Sequence, residues 1–212
     1  MTAAEPTDAR AENSAPPLPA VLPAVALLHD RSCDTDALLL EVARDLQARG
    51  LRVRGLCMTY PDRRSGEGCA GSMVLVDLNT GEEYLVSQPL GRDSKACRGD
   101  PQGFARASQV LRQALEEQPD LVVCNRFGET EADGRGFGAE LLELLAAGYP
   151  LLTAVNPRYQ DAWQRFTGGA AVLQARREVI DIWLASVGLG APLPSVSATA
   201  GSPWSATRPR PG

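Results

Sequence analysis

Short apolar runs alternate with stretches of helical periodicity along this chain. Residues 24–28 (AVALL) form a continuous apolar run of strand length. Over residues 37–49, Leu38, Leu39, Val42 and Leu46 recur near helical spacing. Asp34 or Ser32 can cap the start of that helix and Gly50 can end it. Residues 51–58 predict a second strand. This is one βαβ unit, so parallel pairing with a right-handed crossover is expected. Residues 72–78 and 83–87 flank Asn79-Thr80-Gly81-Glu82, a hairpin signal in which Gly81 is free to take a positive φ.

Asp100-Pro101 opens a helix with a capping carboxylate and a proline at its first position. Phe104, Ala107, Leu111 and Ala114 share one face of it, and Pro119-Asp120 ends it. Residues 121–124 predict a buried strand, 139–147 a helix and 150–155 another strand, which Asn156-Pro157 breaks. Residues 161–166 predict a helical turn carrying Trp163, and 170–173 a short last strand. The last helix, 176–187, has Val179, Ile180, Trp183, Leu184 and Val187 as its core face. The alternation predicts an α/β fold: a three-layer, mostly parallel, doubly wound sheet with a β-hairpin insertion. The loops after the main strands should gather along one edge.

The longest polar break within this pattern is residues 125–137. It follows a strand and precedes a helix, the place where open α/β sheets put their ligands. With three glycines, Arg126, Arg135, Glu129, Glu131 and Asp133, it reads as a binding loop rather than a merely solvated one.

Composition bounds the picture. Residues 1–22 and 188–212 are rich in Pro, Ala, Ser and Gly, and are expected to be disordered tails around a single domain at 23–187. The formal net charge is −5, and the tails leave it unchanged: Arg10, Arg208 and Arg210 offset Glu5, Asp8 and Glu12. This speaks against a nucleic-acid partner. No signal peptide and no apolar run of membrane-spanning length is read, so no membrane partner and a cytoplasmic location are expected. Five cysteines without paired spacing suit a reducing compartment.

The first loop occupies the position of a phosphate-binding loop, yet residues 28–36 contain neither glycine nor lysine. Asp30, Asp34 and Asp36 oppose phosphate there, or simply cap and solvate the helix start. The strand at 121–124 leads into Asn125-Arg126 where a nucleotide hydrolase carries its magnesium carboxylate. Hydrolysis of nucleotides is therefore not expected, nor is ATP as a cofactor. His29 is the single histidine, so any histidine-dependent catalysis would need it; a structural role is the plainer reading. Cys33 and Cys97 lie in candidate ligand loops. Cys57 and Cys124 lie near strand ends, where they could join a soft-metal site or act as small buried hydrophobes. Arg92, Lys95, Arg98, Arg126 and Arg135 could converge on an oxyanion, or pair with nearby carboxylates.

Cys97-Arg98-Gly99-Asp100-Pro101, followed by Asn125-Arg126-Phe127-Gly128-Glu129-Thr130-Glu131-Ala132-Asp133-Gly134-Arg135-Gly136, resembles an uncharacterised bacterial domain-of-unknown-function family. That family is nucleoside-triphosphatase-like with a degenerate P-loop, and the resemblance spans residues 24–187. The first motif departs from the family pattern at Gly99, where leucine is usual. Members are often encoded beside molybdate-transport or nitrogenase genes, so the resemblance implies a role in molybdenum handling, with molybdate or tungstate as the implied ligand. The layout is more distantly similar to the small thermophile-type nucleoside triphosphatases, whose loop Gly128 and Glu131 match. Their magnesium carboxylate falls on Asn125 and their catalytic glutamate on Arg126, so those roles do not carry over.

Together these readings describe a non-hydrolysing binding protein for a small molecule or oxyanion. Its candidate ligand-binding residues are Cys33, Cys97, Arg98, Asn125, Arg126, Gly128, Glu129, Glu131, Gly134 and Arg135. The alternatives are an enzyme of unrecognised chemistry using Cys97, His29 or Glu131, and a protein-interaction adaptor.

Overall fold

A computed structural model describes residues 23–29, 34–61, 72–87 and 99–190. A seven-stranded sheet runs through it in the order β4-β3-β2-β5-β6-β1-β7. The strands are β1 (Ala24–Leu28), β2 (Val53–Thr59), β3 (Val74–Asp77), β4 (Glu83–Leu85), β5 (Leu121–Phe127), β6 (Leu151–Val155) and β7 (Ala171–Gln174). β2, β5, β6, β1 and β7 are mutually parallel, whereas β3 and β4 add an antiparallel hairpin beyond β2. The α/β architecture and the hairpin at one sheet edge agree with the sequence reading, and the fold is consistent with a P-loop-type nucleoside triphosphatase domain.

Helices cover both faces of the sheet. α1 (Thr35–Ala48) and α6 (Arg177–Ser186) lie on one face. α2 (Pro101–Glu117), α4 (Gly138–Ala146) and α5 (Gln160–Thr167) lie on the other, with α3 (Glu129–Ala132) a single turn after β5. Successive strand residues therefore alternate between two cores. Val25, Leu27, Val123 and Cys57 pack with Leu39, Val42 and Leu46 of α1. Ala24, Ala26, Val122 and Cys124 pack with Ala107 and Leu111 of α2 and with Trp163 of α5. Burial on both faces explains why the strands read as continuous apolar runs instead of alternating ones. Gly55 serves the same tight stacking: its φ is +111°, and a Cβ there would collide with the Val123 carbonyl of the neighbouring strand.

Local signals act as their chemistry dictates. The Asp34 carboxylate accepts from Ala37 N and caps α1, and Asp100 caps α2 by accepting from Gln102 N. In the hairpin turn Gly81 has φ +75°. Beyond α6, Leu189 is buried in the α1-side core. Arg49 Nη2 donates to the Leu189 and Gly190 carbonyls at 2.8 and 2.7 Å. Packing thus continues past the domain boundary expected at Val187. Among the described residues no helix is long and apolar enough to cross a membrane.

The region read as a thirteen-residue polar loop differs most from expectation. β5 does not stop at Cys124 but continues through Asn125 and Arg126 to Phe127. The extension is held because Asn125 and Phe127 are both buried, and Phe127 packs its ring against Trp163 and Phe166. Residues 129–132 then form a helical turn, which leaves a much shorter connection to α4.

Candidate functional site

The carboxyl ends of the parallel strands bring together residues far apart in sequence. Asp36 comes from the first turn of α1, after β1. Tyr60 follows β2, and Asn125 and Arg126 end β5. The Asp36 carboxylate is the hub. Asn125 Nδ2 donates to its Oδ1 at 2.8 Å. Arg126 Nη2 donates to Oδ1 at 3.2 Å and to Oδ2 at 3.0 Å, and also to the Tyr60 hydroxyl at 3.1 Å. Asp36 and Asn125 are buried, Arg126 and Tyr60 half-buried. Charge-assisted hydrogen bonds of this kind are among the stronger ones a fold can make.

The polarity of this cluster is the reverse of a metal-dependent phosphate site. In a P-loop hydrolase a hydroxyl at the helix start and a carboxylate on a central strand share magnesium. Here the helix supplies the carboxylate, and the strand supplies an amide and a guanidinium. Two aspartates of the first loop are thus not simply solvated: Asp34 caps the helix and Asp36 is sequestered by Arg126, while Asp30 lies outside the described residues. Among the described residues no group of three or more His, Cys, Asp or Glu side chains is placed to hold a metal ion.

Glu131 is engaged wholly within its own loop. Its Oε2 accepts from Gly128 N at 3.0 Å and from the Thr130 hydroxyl at 2.9 Å, and its Oε1 accepts from Phe137 N at 3.1 Å. The carboxylate therefore ties the end of β5 to the start of α4. Gly136 makes room for it: φ is +58°, and a Cβ would run into Glu131 Oε1. Glu129, Gly134 and Arg135 are exposed, and Arg135 Nη2 pairs with Asp133 at 3.0 Å. Gly134 takes φ +73° in the turn between α3 and α4. His29 is buried at the end of β1, with its backbone N–H donating to the Val155 carbonyl at 2.8 Å. Cys33, Arg92, Lys95, Cys97 and Arg98 lie outside the described residues.

Sequence reasoning missed Asp36 as the partner of Arg126, and missed Tyr60 altogether. A capping-type aspartate two residues inside a helix carries no local sign of a partner ninety positions away. From sequence, convergence on an oxyanion and pairing with carboxylates are both open to Arg126 and Arg135; each arginine is seen in its own ion pair, Arg126–Asp36 and Arg135–Asp133.

Cys57 and Cys124 are both fully buried and free, on opposite faces of the sheet. Burial, assisted by the Asp36 charge and opposed by Arg44, pushes the Cys57 thiol up to about 12. Burial, with smaller contributions from Glu131, Cys57 and Glu140, raises the Cys124 thiol well above its ordinary value. The pair divides between two cores instead of meeting at a soft-metal site. Since the thiolate is the reactive form, neither is expected to take up iodoacetamide in the native protein at neutral pH. Peptide mapping before and after denaturation checks this, and native-state alkylation of either would contradict it.

A cavity of about 410 Å³ lies elsewhere, between α1 and α6, beside Asp45, Arg49, Arg177 and Asp181. Arg177 is already paired there with Glu41, Asp45 and Asp181.

The chain belongs to a family described as a protein of unknown function (DUF2478), whose model matches residues 24–183. Over 159 residues it is 40% identical to the Molybdenum import ATP-binding protein ModC 2 of Bradyrhizobium diazoefficiens. That match covers 74% of this chain but 18% of the relative, so the chain spans less than a fifth of that protein's length.

Proposed function

We propose that this domain is a non-hydrolysing, nucleoside-triphosphatase-like binding protein for a small oxyanion, acting in molybdenum handling. The observation that carries this reading is the Asp36–Arg126 pair with Asn125 at the carboxyl edge of the sheet. A guanidinium stands on the strand where a hydrolase of this fold needs a carboxylate for magnesium. Positioning and charge neutralisation supply nearly all the catalysis of phosphoryl transfer. The loop at 28–36 offers no glycine or lysine for phosphates either. What remains is an edge with a partly solvent-facing arginine, whose planar fork suits tetrahedral oxyanions. Molybdate and tungstate come first because the relative is named for molybdenum import.

Two observations weigh against the enzymatic alternative built on Glu131: both of its oxygens are occupied within the loop, and the carboxylate is buried. The adaptor alternative draws on the relative's much greater length.

Two measurements test the reading. ATP and GTP, with magnesium present, are expected to release no phosphate above a protein-free control. Magnesium-dependent release that disappears in Asp36→Ala would overturn the non-hydrolysing assignment. Calorimetry with molybdate, tungstate, sulfate and phosphate is expected to give saturable heat with at least the first two, lost in Arg126→Met. Absence of heat from all four at millimolar concentration would favour the adaptor instead.

A further inference from the structure

Building on the oxyanion reading, we propose that capture of an oxyanion by Arg126 displaces Asp36 and is coupled to the uptake of one proton by the Asp36 carboxyl group. The order of the side chains from solvent inward sets this up. The Arg126 side chain is 28% exposed and that of Asp36 is 5% exposed. An anion arriving from water therefore meets the guanidinium before the carboxylate.

A guanidinium offers an oxyanion two forks, Nε with Nη2 or Nη1 with Nη2, and both contain Nη2. Nη2 is the atom that already serves both oxygens of Asp36 and the hydroxyl of Tyr60. Its two hydrogens already face three acceptors among the described residues, so bidentate capture of a further one draws it away from Asp36. Nε is buried, so a ligand from solvent is left with the end-on fork. Monodentate capture through Nη1 would leave Asp36 in place, and the experiment separates the two cases.

Once displaced, the carboxylate is buried without the cation that paired with it among the described residues. Asn125 Nδ2 still donates to it, and an amide donor serves a neutral carboxyl as well as an ionised one. Tyr60, after β2, brings a neutral hydroxyl. Cys57 of β2 has its thiol held at about 12 and so is also neutral. Arg44, exposed on α1, is a further cation felt in this neighbourhood, through its effect on Cys57. A carboxylate this buried and stripped of its partner is neutralised by a proton sooner than kept charged. The proton comes from solvent and binds Asp36; no covalent bond of the oxyanion changes. Binding of the anion should thus strengthen as pH falls.

The test is calorimetry of the full chain with sodium molybdate at several pH values from neutral to mildly acidic, at each in buffers of different ionisation enthalpy. The dependence of the heat on buffer enthalpy counts the protons exchanged. About one proton taken up per molybdate is expected, with affinity falling about tenfold per pH unit over the window in which that count holds. Asp36→Asn should still bind molybdate, with no proton uptake and no such pH dependence. His29→Gln should keep the count; it is the control because His29, buried at the end of β1, is the single histidine of the chain. Saturable binding with no net uptake would overturn the displacement while leaving the oxyanion reading intact. An unchanged count in Asp36→Asn would overturn the assignment of the proton. No binding at all would sink both. Should Asp36→Asn fail to fold by circular dichroism, the wild-type count and its pH slope still decide.

Discussion

Replacing Arg126 with alanine is expected to destabilise the domain by about 3 kcal/mol at neutral pH, and much less in mild acid. The substitution removes the cation facing a carboxylate that is 95% covered. Breaking a buried pair by deleting one partner typically costs about 3–5 kcal/mol, because the remaining charge stays desolvated. The lower end applies, since Arg126 is itself partly in water and Asn125 continues to donate to Asp36. For a chain of this size that corresponds to a fall in melting temperature of roughly 6–12 °C. The sign of the pH effect follows from proton binding. In the folded variant the orphaned carboxylate holds a proton at pH values where the unfolded chain has lost it. Stability of the variant therefore falls as pH rises through that window. Asp36→Asn placed in the Arg126→Ala background should recover most of the loss, since no buried charge is then left. Urea melts near neutrality and in mild acid check this. Equal losses at the two pH values, or a loss below about 1 kcal/mol, would show that the pair is not an essential counterion arrangement.

The elements were legible wherever their cause is local. The Asp34 and Asp100 caps, the turn at Gly81 and the apolar stripes of α1 and α2 each depend on residues a few positions apart. The end of β5 was not legible, because Asn125 and Arg126 have the composition of a loop. They are held in the strand by partners from other elements: Asp36 on α1, Tyr60 after β2, and the aromatic rings around Phe127. The α3 turn lacks the length to show periodicity. Strand order was illegible for a related reason: β1 lies between β6 and β7, so its neighbours come from the far end of the chain. The same distance effect governs the site. Sequence pattern located the edge and named Asn125 and Arg126. It could not reveal that the helix following β1 carries the opposite charge for them.

Glu131→Ala is expected to lower the melting temperature by roughly 5–12 °C with no ligand present. The reason lies in the hydrogen bonds its carboxylate accepts. Removing it leaves the N–H groups of Gly128 and Phe137 without the acceptor they use, and the Phe137 bond is buried. A buried donor left unsatisfied costs about 1–3 kcal/mol, and two are affected. Phe137 is also the buried first contact of α4 with α2, its ring standing edge-on to Phe104 at 5.5 Å between centroids. Loosening its amide therefore loosens the helix packing behind the loop. Glu131→Gln should not restore stability. The glutamine oxygen can face one backbone N–H, but its amide nitrogen must then face the other, donor against donor. Gly136→Ala should imitate the loss from the other side, because its methyl group enters the space of Glu131 Oε1 at a positive φ. A carboxylate kept for catalysis behaves differently: removing it usually leaves stability unchanged or improved, since functional charges are held at a stability cost. Thermal melts of Glu131→Ala and Glu131→Gln, with hydrogen exchange at the Phe137 amide, separate the two roles. Melting temperatures within about 1 °C of wild type, with unchanged exchange, would return Glu131 to the list of candidate catalytic groups.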